Sequence, residues 1–223
     1  MQVSYEAIYQ YIYVLPRGEL KQLLIKGLRQ ERKHRRAQKR GEATETRGKI
    51  ANMLSIEERP AEVAERSVPG HWEGDLILGK YKRSALGTLV ERTTRYTILV
   101  PLGEHKDAAS VREAYAEAFK SLQVELKKSL TYDQGKEMSE HEQFTIDTGI
   151  QVYFAHPGSP WERGTNMNTD GLIRQYFPKG TDFNQVSKEG ILEVQRKLND
   201  RPRRALGYLK PDEIINQIVA LKT

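Results

Sequence analysis

The chain has 223 residues, 38% of them hydrophobic and 30% charged, with a formal net charge of +6 and no cysteine. This size and composition suit one α/β domain with an appendage, and the lack of cysteine excludes disulfides and thiolate zinc sites and fits a reducing cytoplasm. Because no apolar run approaches about 18 residues and the N-terminus shows no cleavage-site pattern, we expect neither a membrane span nor a secretory signal.

The first 28 residues predict two short helices. Apolar residues recur at helical spacing from Ala7 to Ile12, and Ser4 is placed to cap this first helix. The stretch "LPRG" interrupts the pattern, after which leucines at helical spacing predict the second helix.

Positive charge is concentrated in residues 26–40, which hold eight Lys or Arg and one Glu and so have a local net charge of +7. Such a run is either a solvated helix or tail, or a surface that contacts phosphate backbones. Because the rest of the chain is nearly neutral, we favour the phosphate contact. Residues 29–68 contain few large apolar groups and predict a basic linker arm. The cations predicted to contact DNA in this arm are Arg32, Lys33, Arg35, Arg36, Lys39 and Arg40.

From residue 69 onward the sequence predicts alternating strands and helices. "WEGDLILG" is a short apolar strand, and a hairpin follows that turns at Arg92–Arg95. "DAASVREAYAEAFKSL" is an amphipathic helix, and then come the strand "KSLTYD", a helix ending at Gly149, the strand "IQVYFA" and two more helices. The order β-β-β-α-β-α-β-α-α predicts an α/β fold in which helices cover a mixed five-stranded sheet.

Two aspartates occupy strand positions where carboxylates are unusual. Asp75 lies inside an apolar strand, where a carboxylate is costly unless it is paired, hydrogen-bonded or bound to metal. Asp133 follows the strand "SLTY", at the end of a strand where α/β sheets place functional groups. A single acid of this kind is usually a turn or cap residue. Two of them, followed by a helix with a polar centre, indicate a carboxylate pair for metal-dependent phosphoryl transfer.

Five motifs carry a resemblance to a known family: "GHWEGDLILG", "TYDQGKE", "FAHPGSPWERGTN", "GLIRQYFPKGTDF" and "LNDRPRRALGYLKPDEI". Together, in this order and over nearly the whole chain, they resemble the DDE transposases of the IS30 insertion-sequence family. The resemblance implies a ribonuclease-H-like, integrase-type core at 69–223, after a helical remnant of a DNA-binding or linking region at 1–28 and the arm at 29–68. We expect the family's more N-terminal helix-turn-helix region to lie outside this chain, which corresponds to a C-terminal portion.

The same resemblance implies a function and its requirements. The expected reaction is cleavage at the 3′ ends of an insertion element and transfer of those ends to target DNA, with Mg²⁺ or Mn²⁺ as the cofactor. The expected partners are double-stranded DNA, as element ends and as target, and further copies of the chain in a homo-oligomer.

One position departs from the family's Asp-Asp-Glu metal-binding triad. Asp75 and Asp133 match the two aspartates, but position 167, which follows Asp133 with 33 residues between, is Met in "GTNMNTDG" where the family pattern "GTNENTNG" has Glu. A soft thioether cannot replace a carboxylate on magnesium. On a helical wheel Met167 lies away from the apolar face, so we expect it to face the site together with Arg163, Asp170 and Arg174.

The departure leaves the activity of this chain open. Asp170 lies one turn beyond Met167, where the family pattern has Asn, but its shorter and displaced side chain makes it a poor substitute for Glu. We therefore expect a severely impaired transposase. The alternatives are an inactive remnant that only binds DNA or dimerises, and a ribonuclease-H-like nuclease that uses two carboxylates.

Other polar and aromatic residues near these motifs have weaker assignments. Arg163 and Arg174 are predicted to contact the DNA backbone, with plain surface solvation as the alternative. His156 either contacts a phosphate or orders the loop before the helix. We expect Trp72 and Trp161 to be packing anchors rather than platforms for base stacking.

Overall fold

The computed structural model describes residues 3–28 and 50–220, and these fall into two compact units. The N-terminal unit contains α1 (Tyr5–Val14) and α2 (Glu19–Lys26), which confirms the two predicted helices. The Ser4 hydroxyl accepts a hydrogen bond from the Ala7 N–H at 3.2 Å and so caps α1 as predicted.

A five-stranded mixed sheet forms the centre of the larger unit. The strands are β1 (His71–Leu78), β2 (Ala85–Glu91), β3 (Thr97–Gly103), β4 (Ser129–Tyr132) and β5 (Gln151–Phe154). Their spatial order is β3-β2-β1-β4-β5, with β1, β2 and β3 antiparallel to one another and β4 and β5 parallel to β1 and to each other. The predicted mixed sheet is therefore confirmed. The antiparallel hairpins and the parallel crossovers meet at β1, which is the central strand.

Helices cover both faces of this sheet. The helices that pack on one face are α4 (Ala108–Lys120) and α5 (His141–Thr148), and those on the other are α6 (Gly164–Tyr176) and α7 (Lys188–Asn199). A short α3 (Ala61–Glu65) precedes the sheet and α8 (Pro211–Ala220) ends the described chain. None of the described helices is both long and apolar enough to cross a bilayer.

Side chains along β1 alternate between the two faces of the sheet, and this alternation determines which of them face α6. Trp72 is fully buried on the α4 face, where its indole N–H donates to the Leu126 carbonyl at 2.7 Å. Gly74 lies on the same face, and a Cβ at this position would come within 2.8 Å of the Tyr132 ring, so the close approach of β4 requires glycine. Glu73 and Asp75 point to the opposite face because side chains alternate along a strand, and this face is the one covered by α6.

From residue 50 onward, the segment predicted as a linker arm packs into the larger unit. Ile50 and Val63 are buried in the larger unit, and the Phe154 N–H of β5 donates to the Leu54 carbonyl at 2.8 Å. Ser55 also forms a parallel bridge with Phe154, so this segment extends the edge of the sheet. Its apolar residues are few and irregularly spaced in the sequence, a pattern that has no periodicity to detect.

The last helix, α8, is absent from the predicted element order. Its sequence carries ordinary signals for a helix start, since Pro211 is the first residue and Asp212 and Glu213 lie in the first turn. Similarly, α3 has only five residues, too few for a periodic pattern to be recognised.

A buried ion pair connects β1 to the β2–β3 turn and to α6. Glu73 is fully buried, one of its carboxylate oxygens pairs with the Arg92 guanidinium, and the other accepts from the Asn166 N–H of α6 at 2.8 Å. The Asn166 side-chain amide donates in turn to the Glu73 carbonyl at 3.0 Å. Glu73 therefore fixes the first turn of α6 onto the central strand.

We expect Glu73→Ala to lower the free energy of unfolding by about 3–5 kcal/mol, because it leaves the buried Arg92 guanidinium without its counter-charge. Glu193→Ala is the matched control, since Glu193 forms an exposed pair with Lys197 on α7 and its loss should cost less than about 1 kcal/mol. Urea unfolding followed by circular dichroism measures both values. Equal effects of the two substitutions would contradict the structural role of Glu73.

Candidate active site

Strand pairing brings Asp75 and Asp133 together. β1 and β4 are parallel, with Glu73 paired with Thr131, and continuing this register by two residues on each strand sets Asp75 beside Asp133. Neighbouring strands lie about 4.8 Å apart, so the two carboxylates are forced into one site. Each is partly held by a nearby backbone N–H: that of Leu76 donates to Asp75 at 2.8 Å and that of Gly135 donates to Asp133 at 2.9 Å.

The Arg163 guanidinium bridges the two carboxylates. One nitrogen lies 3.3 Å from Asp75 Oδ2, and the other donates to Asp133 Oδ2 at 3.1 Å. The first nitrogen also donates to the Gly74 carbonyl at 2.8 Å, and the side chain is only 12% exposed. Arg163 was predicted to contact DNA backbone. In the structure its guanidinium is instead the counter-ion of both aspartates, and contact with DNA stays a prediction.

The electrostatics of this group reflect its partial burial. Burial raises the pKa of Asp75, the Arg163 charge opposes this rise, and the neighbouring Asp133 adds to it. Burial alone would lower the pKa of Arg163, but the charges of Asp75 and Asp133 outweigh this effect and raise the pKa above its ordinary value. The two carboxylates thus favour a positive charge at this point, and the Arg163 guanidinium supplies it.

Asp170 of α6 lies close to Asp75. Its Oδ1 is 3.5 Å from the hydroxyl of Thr88, the residue that pairs with Asp75 across β1 and β2. The same hydroxyl lies 3.2 Å from the Asp75 carbonyl and 3.0 Å from Asn166 Oδ1. Burial, and next the charge of Asp75, raise the pKa of Asp170 to about 8, so this carboxyl group is mostly protonated at neutral pH.

Met167 and Arg174 occupy other positions on α6. Met167 is 48% exposed, which confirms that it is not a core methionine, whereas Leu172 and Ile173 are buried among the helices. Arg174 donates to the Leu78 carbonyl at 3.0 Å, so its guanidinium ties α6 to the end of β1; its predicted contact with DNA is untested. Within residues 3–28 and 50–220, no three Asp, Glu, His or Cys side chains converge as a preformed metal centre.

An open cleft of about 670 Å³ lies against Asp75 and Asp133. Lys106, from the loop before α4, and Lys136, after β4, also line it. Sequence reasoning missed both lysines, because no motif marks a cation that enters a site from a separate loop. Asp107 and Glu137 line it as well, so among the described residues the cleft holds four carboxylates and two lysines. Its carboxylates suit a divalent cation, and its lysines suit the oxygens of a phosphodiester.

The loop between β5 and α6 is ordered by Glu162. Its carboxylate accepts from the His156 N–H at 2.8 Å and lies 2.9 Å from His156 Nδ1, which agrees with the loop-ordering interpretation of His156. Trp72 is fully buried, as predicted for a packing anchor. The same prediction for Trp161 is wrong, since its indole is 72% exposed at the start of the turn that leads into α6.

The six cations predicted to contact DNA between residues 32 and 40 lie outside the described residues, so the structure does not test them. Sequence reasoning missed two residues, Glu73 and Asn166, whose mutual hydrogen bonds hold α6 against β1. The signal that could have found Glu73 is its spacing: it is two residues before Asp75 in an apolar strand and therefore shares its face.

Comparison with known proteins identifies relatives over the whole chain. Residues 65–160, which contain both aspartates, match the family model for the integrase core domain. The transposase for insertion sequence element IS1086 of Cupriavidus metallidurans is 47% identical over 223 residues, covering 100% of this chain and 65% of the relative. Transposase InsI for insertion sequence element IS30A of Escherichia coli is 45% identical, covering 99% of this chain and 57% of the relative. The chain thus spans about three fifths of the length of these relatives.

A solved structure shows the same fold. The crystal structure of the catalytic core domain of BIV integrase superposes with a TM-score of 0.51 at 17% identity, covering 69% of this chain and 97% of that one. At this identity the likeness concerns the fold alone, and it confirms the predicted ribonuclease-H-like sheet with its flanking helices.

We expect Arg163→Met to lower the free energy of unfolding by roughly 1–3 kcal/mol, because two adjacent carboxylates lose their shared counter-ion. Arg196→Met, at an exposed position of α7, is the matched control and should change stability by less than about 0.5 kcal/mol. Chemical unfolding of both variants measures the difference. An Arg163 variant as stable as the control would show that the bridge contributes nothing.

Proposed function

Because the chain belongs to the family of IS30-type transposases and carries an integrase core, we propose that it is the catalytic portion of a DNA transposase, which cleaves the 3′ ends of an insertion element and joins them to target DNA. The observation that carries the proposal is the position of Asp75 on β1 beside Asp133, which directly follows the adjacent parallel strand β4, at the edge of an open cleft. We infer the class of substrate from the relatives and the reacting residues from the geometry.

The aspartate pair fits a divalent cation. The two carboxylates already share one positive group, since Arg163 lies within 3.3 Å of both. Carboxylate oxygens are the hard ligands that Mg²⁺ and Mn²⁺ prefer. Asp75 and Asp133 would therefore hold the cation in place of the guanidinium. When bound, such a metal supplies Lewis-acid polarisation of a phosphodiester and activation of the attacking oxygen.

The surrounding residues orient the DNA strand. Lys106 and Lys136 line the cleft on the α4 side of the aspartates and would hold the non-bridging phosphate oxygens. Asp75 and Asp133 fix the position at which first a water and then the freed 3′-hydroxyl approaches phosphorus. Asn166 and Glu73 hold the first turn of α6 against β1, so α6 keeps its position during both steps.

Met167 limits this reaction. A side chain at this position is about half exposed on α6, and a thioether there offers no hard oxygen to a metal. Each 1.36 kcal/mol of lost transition-state stabilisation lowers the rate about tenfold, so incomplete metal coordination worth several kcal/mol would cost roughly 10³-fold or more. We therefore infer a strongly impaired enzyme rather than a fully active one.

The second candidate function is a catalytically inactive module that binds DNA or pairs with other copies of the chain. Two observations favour it: the thioether at position 167, and the Arg163 bridge that already neutralises the aspartate pair without a metal. In both candidates the partners are double-stranded DNA and a homo-oligomer, and the basic segment 26–40 is a backbone contact that reads no sequence.

We expect Met167→Glu to raise the rate of strand joining by about 10³-fold or more, because it restores the third carboxylate of the family triad. The assay supplies pre-cleaved element ends, target DNA and Mg²⁺ or Mn²⁺ to the unmodified chain, to the Met167→Glu form, and to a Met167→Gln control of the same shape without the charge.

If the unmodified chain joins strands as fast as the Met167→Glu form, the assignment of position 167 is wrong. If neither form joins strands while both still bind DNA, the inactive module is the correct function. Asp75→Asn in the Met167→Glu background completes the series and should abolish joining.

We expect Asp170→Asn to change the affinity for Mg²⁺ or Mn²⁺ by less than about twofold, since Asp170 is mostly protonated at neutral pH and is held against Thr88. Isothermal titration calorimetry at pH 7 with the metal alone measures this affinity, and Asp133→Asn serves as the positive control that should lose binding. A loss of about tenfold or more in the Asp170 variant would instead make Asp170 the third ligand, displaced by one helical turn.

A further inference from the structure

The turn between β1 and β2 carries one aromatic and three basic side chains. Its residues are Lys80, Tyr81, Lys82 and Arg83, together called the basic tip, and all four are exposed. The Tyr81 side chain is 79% exposed. Exposure of one ring assigns no role by itself, because scattered apolar side chains are normal on protein surfaces. Here, however, the ring stands among cations at the end of a hairpin, a combination that suits contact with a nucleic acid.

The backbone of the basic tip is strained. The Arg83 N–H donates to the Lys80 carbonyl at 3.0 Å, which closes a four-residue turn. Its two central residues, Tyr81 and Lys82, have φ of 51° and 59°. Two consecutive left-handed residues are the feature of a type I′ turn, which favours Asn-Gly at these positions and disfavours larger side chains. Strain of this kind clusters at binding sites, so the tyrosine serves a purpose other than folding.

Contacts with two distant segments hold the basic tip in this conformation. The Lys80 N–H donates to the Thr181 carbonyl at 2.8 Å, which ties the turn to the loop after α6. The Lys106 ammonium, from the loop before α4, donates to the Lys82 carbonyl. A strained conformation persists only where the surrounding structure imposes it, and these contacts do so. The tyrosine ring is therefore presented to solvent on a fixed support.

The basic tip borders the aspartate cleft. It follows the C-terminal end of β1, and Asp133 follows the C-terminal end of the parallel strand β4, so both lie at one end of the sheet. Leu78, the last residue of β1, lines the cleft together with Lys106. Tyr81 is six residues after Asp75, a length of chain that spans at most about 20 Å. Since a DNA strand advances about 3.4 Å per nucleotide, the basic tip lies within about six nucleotides of a phosphate held at the aspartates.

The cations of the basic tip form no ion pair in the part of the chain that the structure describes. The Lys80 ammonium and the Arg83 guanidinium lie instead 5.4 Å and 5.9 Å from the centre of the Tyr81 ring. Two carboxylates on the adjoining loops are used otherwise, since Asp107 and Asp182 each cap the helical turn that follows it. The cations are thus available to phosphates on either side of the ring.

We propose that the basic tip binds a DNA strand beside the cleft, with Tyr81 stacked on an unpaired base and the three cations at its phosphates. The inference rests on the proposed function, and it adds a DNA contact to which neither the five motifs nor the aspartate pair assigns a role. Every base has a π-face, so a tyrosine ring stacks on it without reading the sequence. Strand cleavage leaves free ends, where bases can leave the duplex.

The role of the ring is tested with variants of the full chain that preserve the turn. Tyr81→Asn introduces the residue that a type I′ turn favours at this position, and Tyr81→Phe keeps the ring. Tyr208→Asn is the matched control, since Tyr208 is 70% exposed and has φ of 70°. Fluorescence anisotropy in EDTA measures the affinity for two labelled probes, a blunt duplex and the same duplex with a single-stranded 3′ overhang. Circular dichroism checks that each variant is folded.

We expect Tyr81→Asn to weaken binding of the overhang probe by about fivefold or more, because the stacking of one base is lost, and to change binding of the blunt duplex by less than about twofold. Tyr81→Phe and Tyr208→Asn should stay within about twofold of the unmodified chain on both probes. An unchanged affinity of Tyr81→Asn for the overhang, or an equal loss on both probes, would overturn the stacked base.

The same assay, repeated over a series of salt concentrations, tests the cations. Lys80→Gln with Arg83→Gln should lower the slope of log K against log salt for the overhang probe by about 1.4, since each contact with a single strand contributes about 0.7. Lys188→Gln with Arg196→Gln removes two charges from the exposed surface of α7 and is the matched control. An equal change of slope in both double variants would contradict a specific contact at the basic tip.

The binding assay contains no metal and no joining step, so it separates this inference from the proposed function. A Met167→Glu chain that fails to join strands would contradict the proposed function, and a loss of overhang binding in Tyr81→Asn would still support the basic tip. A chain that joins strands but binds the overhang equally well with and without the tyrosine ring would keep the proposed function and overturn the inference.

Discussion

The interaction on which the rest of the site depends is the buried contact between Glu73 and Asn166. It joins the central strand to the first turn of α6, and the Arg92 guanidinium compensates the buried carboxylate. Burying a charge is costly unless it is paired and hydrogen-bonded, and here both conditions are met. Because Glu73 and Asp75 share one face of β1, the contact that anchors α6 also brings the helix against the aspartate pair.

Arg163 shows how a carboxylate pair is tolerated in this position without a metal. Two partly buried aspartates on neighbouring strands repel each other, and burial makes the charged state of Asp75 still less favourable. The guanidinium compensates both charges, and its third contact, with the Gly74 carbonyl, holds it at the end of the sheet. Under the proposed function a divalent cation would have to displace Arg163, so the guanidinium that compensates both aspartates would compete with the proposed cofactor.

Much of the fold and part of the site could be predicted from the sequence. Periodic and alternating patterns predicted the sheet and four helices of the larger unit, α4 to α7, and the spacing of the motifs predicted that Asp75 and Asp133 belong to one site. The role of Arg163 could not be predicted, because a cation next to a helix start looks the same whether it faces solvent or a carboxylate. The packing of residues 50–68 against the sheet could not be predicted either, because it depends on contacts between segments that are distant in sequence.

Position 167 separates the requirements of folding from those of catalysis. Its side chain is half exposed, so Met in place of the Glu that we propose for this position would remove an oxygen ligand without creating a buried cavity or an unpaired charge. A substitution at Glu73 or Asn166 would instead break the connection between β1 and α6 and destabilise the core. Asp170 behaves differently from both, because its carboxyl group is mostly protonated and makes its contact with Thr88 rather than serving as an exposed charge. Under the proposed function, α6 can therefore lack the third metal ligand while the sheet and the Arg163 bridge stay intact, which is why DNA binding and strand joining have to be measured separately in this chain.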